Sequence, residues 1–359
     1  MAALLKGGGD FQRDFREAVA AELTPSVRRR GAAQMALKSI VILTWAIGSY
    51  LGLLLYAREL WQILPLSVSL ALALAGVGFS IQHDANHGAV GGRLGRVWGF
   101  SLDLMGASSQ VWRAKHNHAH HTYTNIDGAD TDIEQLPLAR FAPSQPLYRF
   151  HRFQHLYMWF FYGLFAFKGH LTGDWMQMLR GQVGLQPITR SPGIIAVFIA
   201  GKILFITWAI ALPLYLFDWW AVLGVFALVS WVFGMTVATV FQMAHCVEEA
   251  EHGFTTVAEL EENPGRRWAE HQLASTVDFA PRNRVLNWYL GGLNFQAVHH
   301  LQPKVCHVHY ARLSPVLDRV AAQNGLAYRC HPTLRSALAS HGRWLRRMGH
   351  ETVPVAEAG

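Results

Sequence analysis

The sequence predicts an all-α integral membrane protein in which four transmembrane helices, arranged as two hairpins, carry a cytosolic helical cap. Three observations lead there. Four apolar stretches are each long enough to cross a bilayer. Only 15% of the 359 residues are charged while 51% are apolar, and thirteen tryptophans sit beside twenty phenylalanines, a mixture that suits lipid and its interfaces. All nineteen histidines lie outside the apolar stretches.

The spans come first. They run over about 39–57, 60–82, 193–217 and 219–244, and a rise of ~1.5 Å per residue makes each of them long enough for a hydrocarbon core ~30 Å thick. Arg58 and Glu59 alone separate the first pair, and Asp218 alone separates the second, so each pair reads as a hairpin. Buried helices of a soluble protein are the competing reading, but such helices seldom run so far without a polar stripe. Lys202 is the one basic residue inside a span, placed either to snorkel or to face the bundle.

Charge placement gives the sidedness. Of the 31 Lys and Arg, seven lie in residues 1–38, ten in 82–192 and twelve in 243–359, leaving Arg58 at a hairpin tip and Lys202 in a span. The positive-inside rule puts both termini and the middle segment in the cytoplasm of a bacterial inner membrane or its equivalent. The formal charge of +7 is thereby accounted for without nucleic acid.

Residues 1–38 read as a cytosolic tail, because Asp10, Arg13, Asp14, Arg16, Glu17 and the run Arg28 to Arg30 leave no apolar core for a signal peptide. The membrane domain then covers 39–320, its cap being 83–192 and 245–320, and 321–359 read as a C-terminal cytosolic tail. Within the cap, Leu156–Phe167 is apolar but too short to span, which suits an interfacial or re-entrant helix. Cys246, Cys306 and Cys330 form neither a disulfide framework nor a zinc knuckle.

The cap carries three histidine clusters. His83 and His87, in His-Asp-Ala-Asn-His, are four apart where the second span ends, so a continuing helix projects both from one face. Taken alone, they could equally be interfacial histidines. The second cluster reads WRAKHNHAHHTYTN from Trp112. Its His116 and His120 share a helical face, and His121 is turned by ~100°. So dense a cluster beside Arg113 and Lys115 repels itself when protonated, and a metal gives it a reason to exist.

The third cluster, Asn294-Phe295-Gln296-Ala297-Val298-His299-His300, places Gln296 on the face of His299 or His300. Neutral imidazole suits iron, copper or zinc, and seven histidines exceed the needs of one ion, so a di-metal site is expected in the cap. His245, at the cytoplasmic end of the fourth span, is either an eighth ligand or a polar anchor. His118 lies off the ligand face, and His307 and His309 read as supporting or surface residues.

These boxes, in this order and at these distances from four spans, closely resemble the membrane fatty-acid desaturase family. HDANHG at His83, WRAKHNHAHHTYTN at Trp112 and GGLNFQAVHHLQPKVCHVHY at Gly291 are most similar to its front-end subgroup, the delta-6 or linoleoyl-CoA type, and Gln296 is a mark of that subgroup. The resemblance covers about Ile40 to Leu317. It implies two iron ions, Fe2+/Fe3+, with His83, His87, His116, His120, His121, His245, His299 and His300 as ligands and Gln296 at or beside the site. Asp84, Asn125, Asp130 and Asp132 would orient imidazoles, unless they are turn and capping residues. Trp112, Arg113 and Trp288 are candidate wall or headgroup contacts, or membrane anchors.

The same resemblance implies an enzyme that places a cis double bond in a fatty acyl chain carried by CoA or a lipid. An unactivated methylene is beyond acid-base catalysis, so O2 as co-substrate and two external electrons are required. Zinc could fill the ligands but has no redox chemistry. Many front-end relatives carry a fused cytochrome b5 domain. His331-Pro332-Thr333-Leu334 does not match its heme-binding segment, so the expected donor is a separate ferredoxin, or cytochrome b5 with its reductase. The rival enzyme is a related acyl or alkane hydroxylase. The non-enzymatic rival is a metal transporter or heme electron carrier, which would place its histidines nearer the middle of the spans.

Overall fold

The computed structural model describes residues 10–252, 257–258 and 268–351. It is mostly helical, and four of its helices are long and apolar enough to cross a membrane. With helix α1 at Asp10–Glu22, these are α2 (Pro25–Tyr56), α3 (Leu60–His87), α7 (Pro192–Leu216) and α8 (Trp219–His245). Between α3 and α7 lie α4 (Gly92–Gly99), α5 (residues 109–123) and α6 (Gln154–Tyr162). After α8 come α9 (Trp268–Ala274), α10 (Gln296–Leu301), α11 (Tyr310–Gln323) and α12 (Leu334–Met348).

The first span begins earlier than its apolar stretch. Thr24 accepts a hydrogen bond from the Val27 amide and Pro25 occupies the first turn, a start signal that extends helix over 25–38, where a tail is expected. The second span runs on through His83 and His87 and stops at Gly88, whose φ of +79° closes the helix in the left-handed region. The third and fourth spans begin and end within a residue or so of the sequence reading.

Neither end of the described chain is loose. Phe11, Phe15 and Val19 of α1 and Leu23 just after it recur every four residues, forming one apolar stripe. That stripe is buried against Leu313, Leu317 and Val320 of α11 and against Trp268, Val298 and Leu301. At the other end α12 buries Trp344, Leu345 and Met348 against Ile133, Phe141, Met158 and Tyr162. Each such side chain contributes about 1.5–3 kcal/mol by leaving water, which is why both segments fold onto the body. Residues 352–359 of the expected C-terminal tail lie outside the described part.

α8 packs along α3, and α2 packs along α3. Outward-facing Ile40, Ile47, Leu55, Ile203 and Leu223 are exposed on the span surfaces, as a lipid-facing helix requires. α6 has nine residues, too few to span, with Leu156 and Phe160 exposed and Met158 and Tyr162 buried. Lys202 faces inward: its Nζ donates to Asp174 Oδ2 at 2.9 Å and to the Gly106 carbonyl at 2.6 Å, so both its partners come from the segment between the second and third spans.

Strand content is slight. β1 (Gln182–Val183) and β2 (Gln186–Pro187) form an antiparallel pair, and β3 (Asp278–Phe279) lies parallel to β4 (Cys330–His331). The second pair ties the segment before α12 to Asp278, whose Oδ1 accepts from the Ala297 amide at the start of α10.

Candidate metal centre

Four chain segments bring histidines to one place: the ends of α3 and α8, the middle of α5, and α10. Residues 113–120 within α5 are π-helical, with i→i+5 bonds that widen the turn so that residues four and five apart both fall near one face. His116, His120 and His121 therefore all face inward, where α-helical spacing predicts His121 turned aside. His118 remains outward and exposed. A second π-turn, Val77–Gln82, sits in α3 immediately before His83.

All eight expected ligands are buried and meet. His83, His87, His116 and His299 form one group, and His120, His245 and His300 form another. His121 stands between them, sharing a third group with His299 and His300. In each group one ring nitrogen per residue lies within 4.8 Å of the rest. His121 also stacks on His300 with ring centroids 4.2 Å apart.

The rings are held from outside. Asp130 Oδ2 lies 3.0 Å from His120 Nδ1, the Ser275 carbonyl 3.3 Å from His245 Nδ1, and Gln272 Oε1 2.7 Å from His300 Nδ1. These oxygens accept, so each Nδ1 carries the proton and each Nε2 is left bare toward the interior. The Tyr310 hydroxyl stands 3.3 Å from His299 Nδ1. Asn86 joins the first two boxes: its Oδ1 accepts from Arg113 and its backbone carbonyl from Asn117.

Inside, Nε2 of His83, His87, His245 and His300 has no hydrogen-bond partner. His121 Nε2 stands 3.0 Å from that of His299 and 3.3 Å from that of His116. A buried polar atom left unsatisfied costs about 1–3 kcal/mol, so a set of this size is costly by itself. Cations among the nitrogens would satisfy it. The residues present fit a metal site whose donor set suits iron, copper or zinc.

Electrostatics agree. Burial first, and then the neighbouring imidazoles, hold His116, His121, His299 and His300 well below the ordinary histidine value, so these rings are neutral donors. His120 differs: burial lowers it, but Asp130 and Asp132 outweigh burial and raise it. Asp130 is held below the ordinary carboxylate value, since His120 and the Asn125 and Asp132 amides outweigh its burial.

Of the four candidate orienting residues, Asp130 holds His120. Asp132 stands 3.6 Å from His120 Nδ1 and 2.6 Å from Lys115. Asn125, at φ +59°, donates to the His245 carbonyl. Asp84 turns to His307 at 2.9 Å. Trp112 is a wall, stacked on His116 with centroids 4.4 Å apart, whereas Trp288 lies under Lys38. Gln296 is buried at the first position of α10, and neither of its amide atoms has a partner.

α9 is the part that sequence reasoning misses. Trp268 donates to the His121 carbonyl at 2.9 Å, His271 contacts the Thr124 carbonyl at 2.9 Å, and Gln272 Oε1 accepts from Thr124 as well as from His300. Its only sequence signal is His271, one histidine among nineteen.

The fatty acid desaturase family matches residues 59–332. The chain is 33% identical to the sn-1 linoleoyl-lipid 6-desaturase of Arthrospira platensis, over 94% of this chain and 92% of that protein. It is 34% identical to the protein of the same description from Synechocystis sp., over 89% and 90%. It is also 34% identical to the acyl-lipid (8-3)-desaturase of Physcomitrium patens, over 88% of this chain and 66% of that one.

Proposed function

The chain belongs to the fatty acid desaturase family, and from that premise we propose that it is an oxygen-dependent, front-end acyl-lipid desaturase whose two irons are held by the histidines just described. One iron falls to His83, His87, His116 and His299, and the other to His120, His245 and His300, with His121 between them and Gln296 beside them. The observation that carries this reading is the convergence of eight buried imidazoles from four segments, with the Nε2 of His83, His87, His245 and His300 unpartnered and the outer edges of His120, His245 and His300 tied to acceptor oxygens.

When bound, the irons would supply the redox chemistry by which O2 and two external electrons remove two vicinal hydrogens and leave a cis double bond. The protein's own residues do the rest. Asp130, Ser275 and Gln272 hold the proton on the outer edge of three rings, which fixes ring direction. Trp112 and Phe241, each against His116, help to keep water from that side. Between the spans lies an apolar cavity of about 130 Å³ whose walls include Leu53, Leu74, Phe205, Trp208, Phe226 and Phe233. It offers dry space for the methyl end of an acyl chain.

In the same reading the four spans form two hairpins in an inner membrane, with the metal-bearing cap and both termini cytoplasmic. The short links at residues 57–59 and 217–218 and the Lys and Arg distribution support it. Electrons would come from a separate ferredoxin or from cytochrome b5 with its reductase. The acyl-lipid descriptions of the relatives favour a lipid-linked chain over acyl-CoA.

Two measurements test this. The protein purified from its host membrane should hold about two irons per chain. Lipids of a host expressing it should gain a double bond between an existing one and the carboxyl end, read by gas chromatography with mass detection. An alcohol heavier than the alkene by one water would point to hydroxylation and overturn desaturation.

A further inference from the structure

Resting on the metal-centre reading, we infer that Lys38 is a positioning residue of that centre, acting on His83 through His307 and Asp84. Lys38 belongs to the first span, yet it is buried with its Nζ 2.8 Å from His307 Nε2. On the far side of the same ring, Nδ1 lies 2.9 Å from Asp84 Oδ2, and the His307 amide donates to that oxygen at 3.1 Å. Asp84 is bonded in sequence to His83, and its other oxygen stands 3.9 Å from His83 Nδ1.

The hydrogen-bond chemistry allows one direction only. An ammonium group has donors and no lone pair, so Nε2 of His307 must accept. Nδ1 must then carry the proton and donate to Asp84, a carboxylate that can only accept. Lys38, His307 and Asp84 thus form a line in which a cation at one end and an anion at the other bracket a neutral ring. His307 is kept neutral by burial, with Asp84 pulling the other way. Oδ2 has two donors, so the carboxylate is pinned, and Oδ1 stays at a fixed station beside the Nδ1 edge of His83. Neither ring nitrogen of His83 has a hydrogen-bond partner, so Asp84 acts on the ring as a fixed negative charge 3.9 Å from Nδ1, which favours a proton on that edge and leaves Nε2 for the metal centre.

Asp84, Cys306 and His307 could themselves be taken for a cation site, since their donor atoms cluster within 4.8 Å. The Lys38 contact argues against it: both ring nitrogens of His307 are already committed, and a cation would face the ammonium. The line also joins the membrane anchor to the centre. At Gly31, two turns before Lys38, a Cβ would meet the His309 ring at 2.3 Å, so α2 and the 307–309 segment approach closely along their length.

Removing the ammonium frees His307 to exchange tautomers and leaves Asp84 without its counter-charge, so the carboxylate is released to turn toward His83. The test uses the full chain in detergent, stripped of metal and titrated with Co2+, whose visible bands report ligand geometry. Lys38→Met should weaken Co2+ binding about tenfold, within the ~10–100-fold range for the outer partners of ligands, and should shift the bands at saturating metal. Lys38→Arg, which keeps a cationic donor, should restore most of the affinity, a rescue that a packing defect at this position would not show. In a His307→Phe background the Lys38→Met change should add nothing.

Unchanged bands and affinity in Lys38→Met, or effects that add to those of His307→Phe, would overturn the inference while leaving the metal centre intact. Failure of the unmodified chain to take up Co2+ would overturn the centre itself, and the inference with it.

Discussion

Gln272 Oε1 lies 2.7 Å from Nδ1 of His300, and the same oxygen accepts from the Thr124 hydroxyl at 2.8 Å. One amide on α9 therefore fixes the tautomer of a third-box imidazole and anchors the end of the helix that carries the second box. Gln272→Leu leaves the His300 N–H buried and unsatisfied, at about 1–3 kcal/mol. Iron retention is expected to fall about 10–100-fold, measured by competition with a chelator, while Gln272→Glu, which keeps an acceptor, retains more metal.

His120 and His350 separate ligands from ordinary histidines. His120→Ala should abolish turnover and lower the iron content of the purified protein, because it removes both a donor and the partner of Asp130. His350 is exposed, its Nδ1 lying 2.8 Å from the Arg346 carbonyl, and His350→Ala should change neither. A His120 variant that turns over normally would sink the di-iron assignment.

Phe15 tests whether α1 is structural. Its ring is 1% exposed within the cluster that also holds Val298 of α10. Phe15→Ala should cost about 3–5 kcal/mol, read as a lowered midpoint of thermal unfolding. A free tail would show no change.

Acidification should destabilise the metal-free protein. His116, His121, His299 and His300 have folded values depressed below the unfolded value of about 6.5, so the unfolded chain binds more protons than the folded one as pH falls through that value. Stability is present above about pH 6.5 and is lost below it, by up to ~1.4 kcal/mol per pH unit for each group. The lowered value of Asp130 works in the same direction at lower pH. His120 is raised, and so is Asp278, lifted by burial to about 7; their contributions are present in acid and fade as pH rises through the folded values, opposing the four histidines. Unfolding midpoints of the stripped protein at pH 7.5 and 5.5 check the sign, and metal-loaded protein should be more stable than stripped protein at the higher pH.

The spans were legible because crossing a bilayer demands a long unbroken apolar run, and nothing distant is needed to recognise one. The boxes were legible for a related reason: His83 with His87, and His116 with His120, are neighbours on a helix whatever the rest of the chain does. The direction of the His121 ring was not legible, because a π-turn has no simple signature and residues 113–120 change the face on which it lands. The four-residue stripe of Phe11, Phe15, Val19 and Leu23 was present in the sequence, but its charged neighbours made the segment read as a tail until the partner surface on α11 was known.

The sequence by itself determined the four membrane-length helices, the family, and which histidines are the candidate ligands, since each of these is written in local spacing or in motif. Tertiary structure alone decided how those histidines divide into two groups and what stands behind each ring. Gln272 meets Thr124 across 148 positions, Asp84 meets His307 across 223, and Lys38 meets His307 across 269. Contacts of that reach depend on how helices pack, and hydrogen-bond direction at an imidazole is settled only when both of its neighbours are in place.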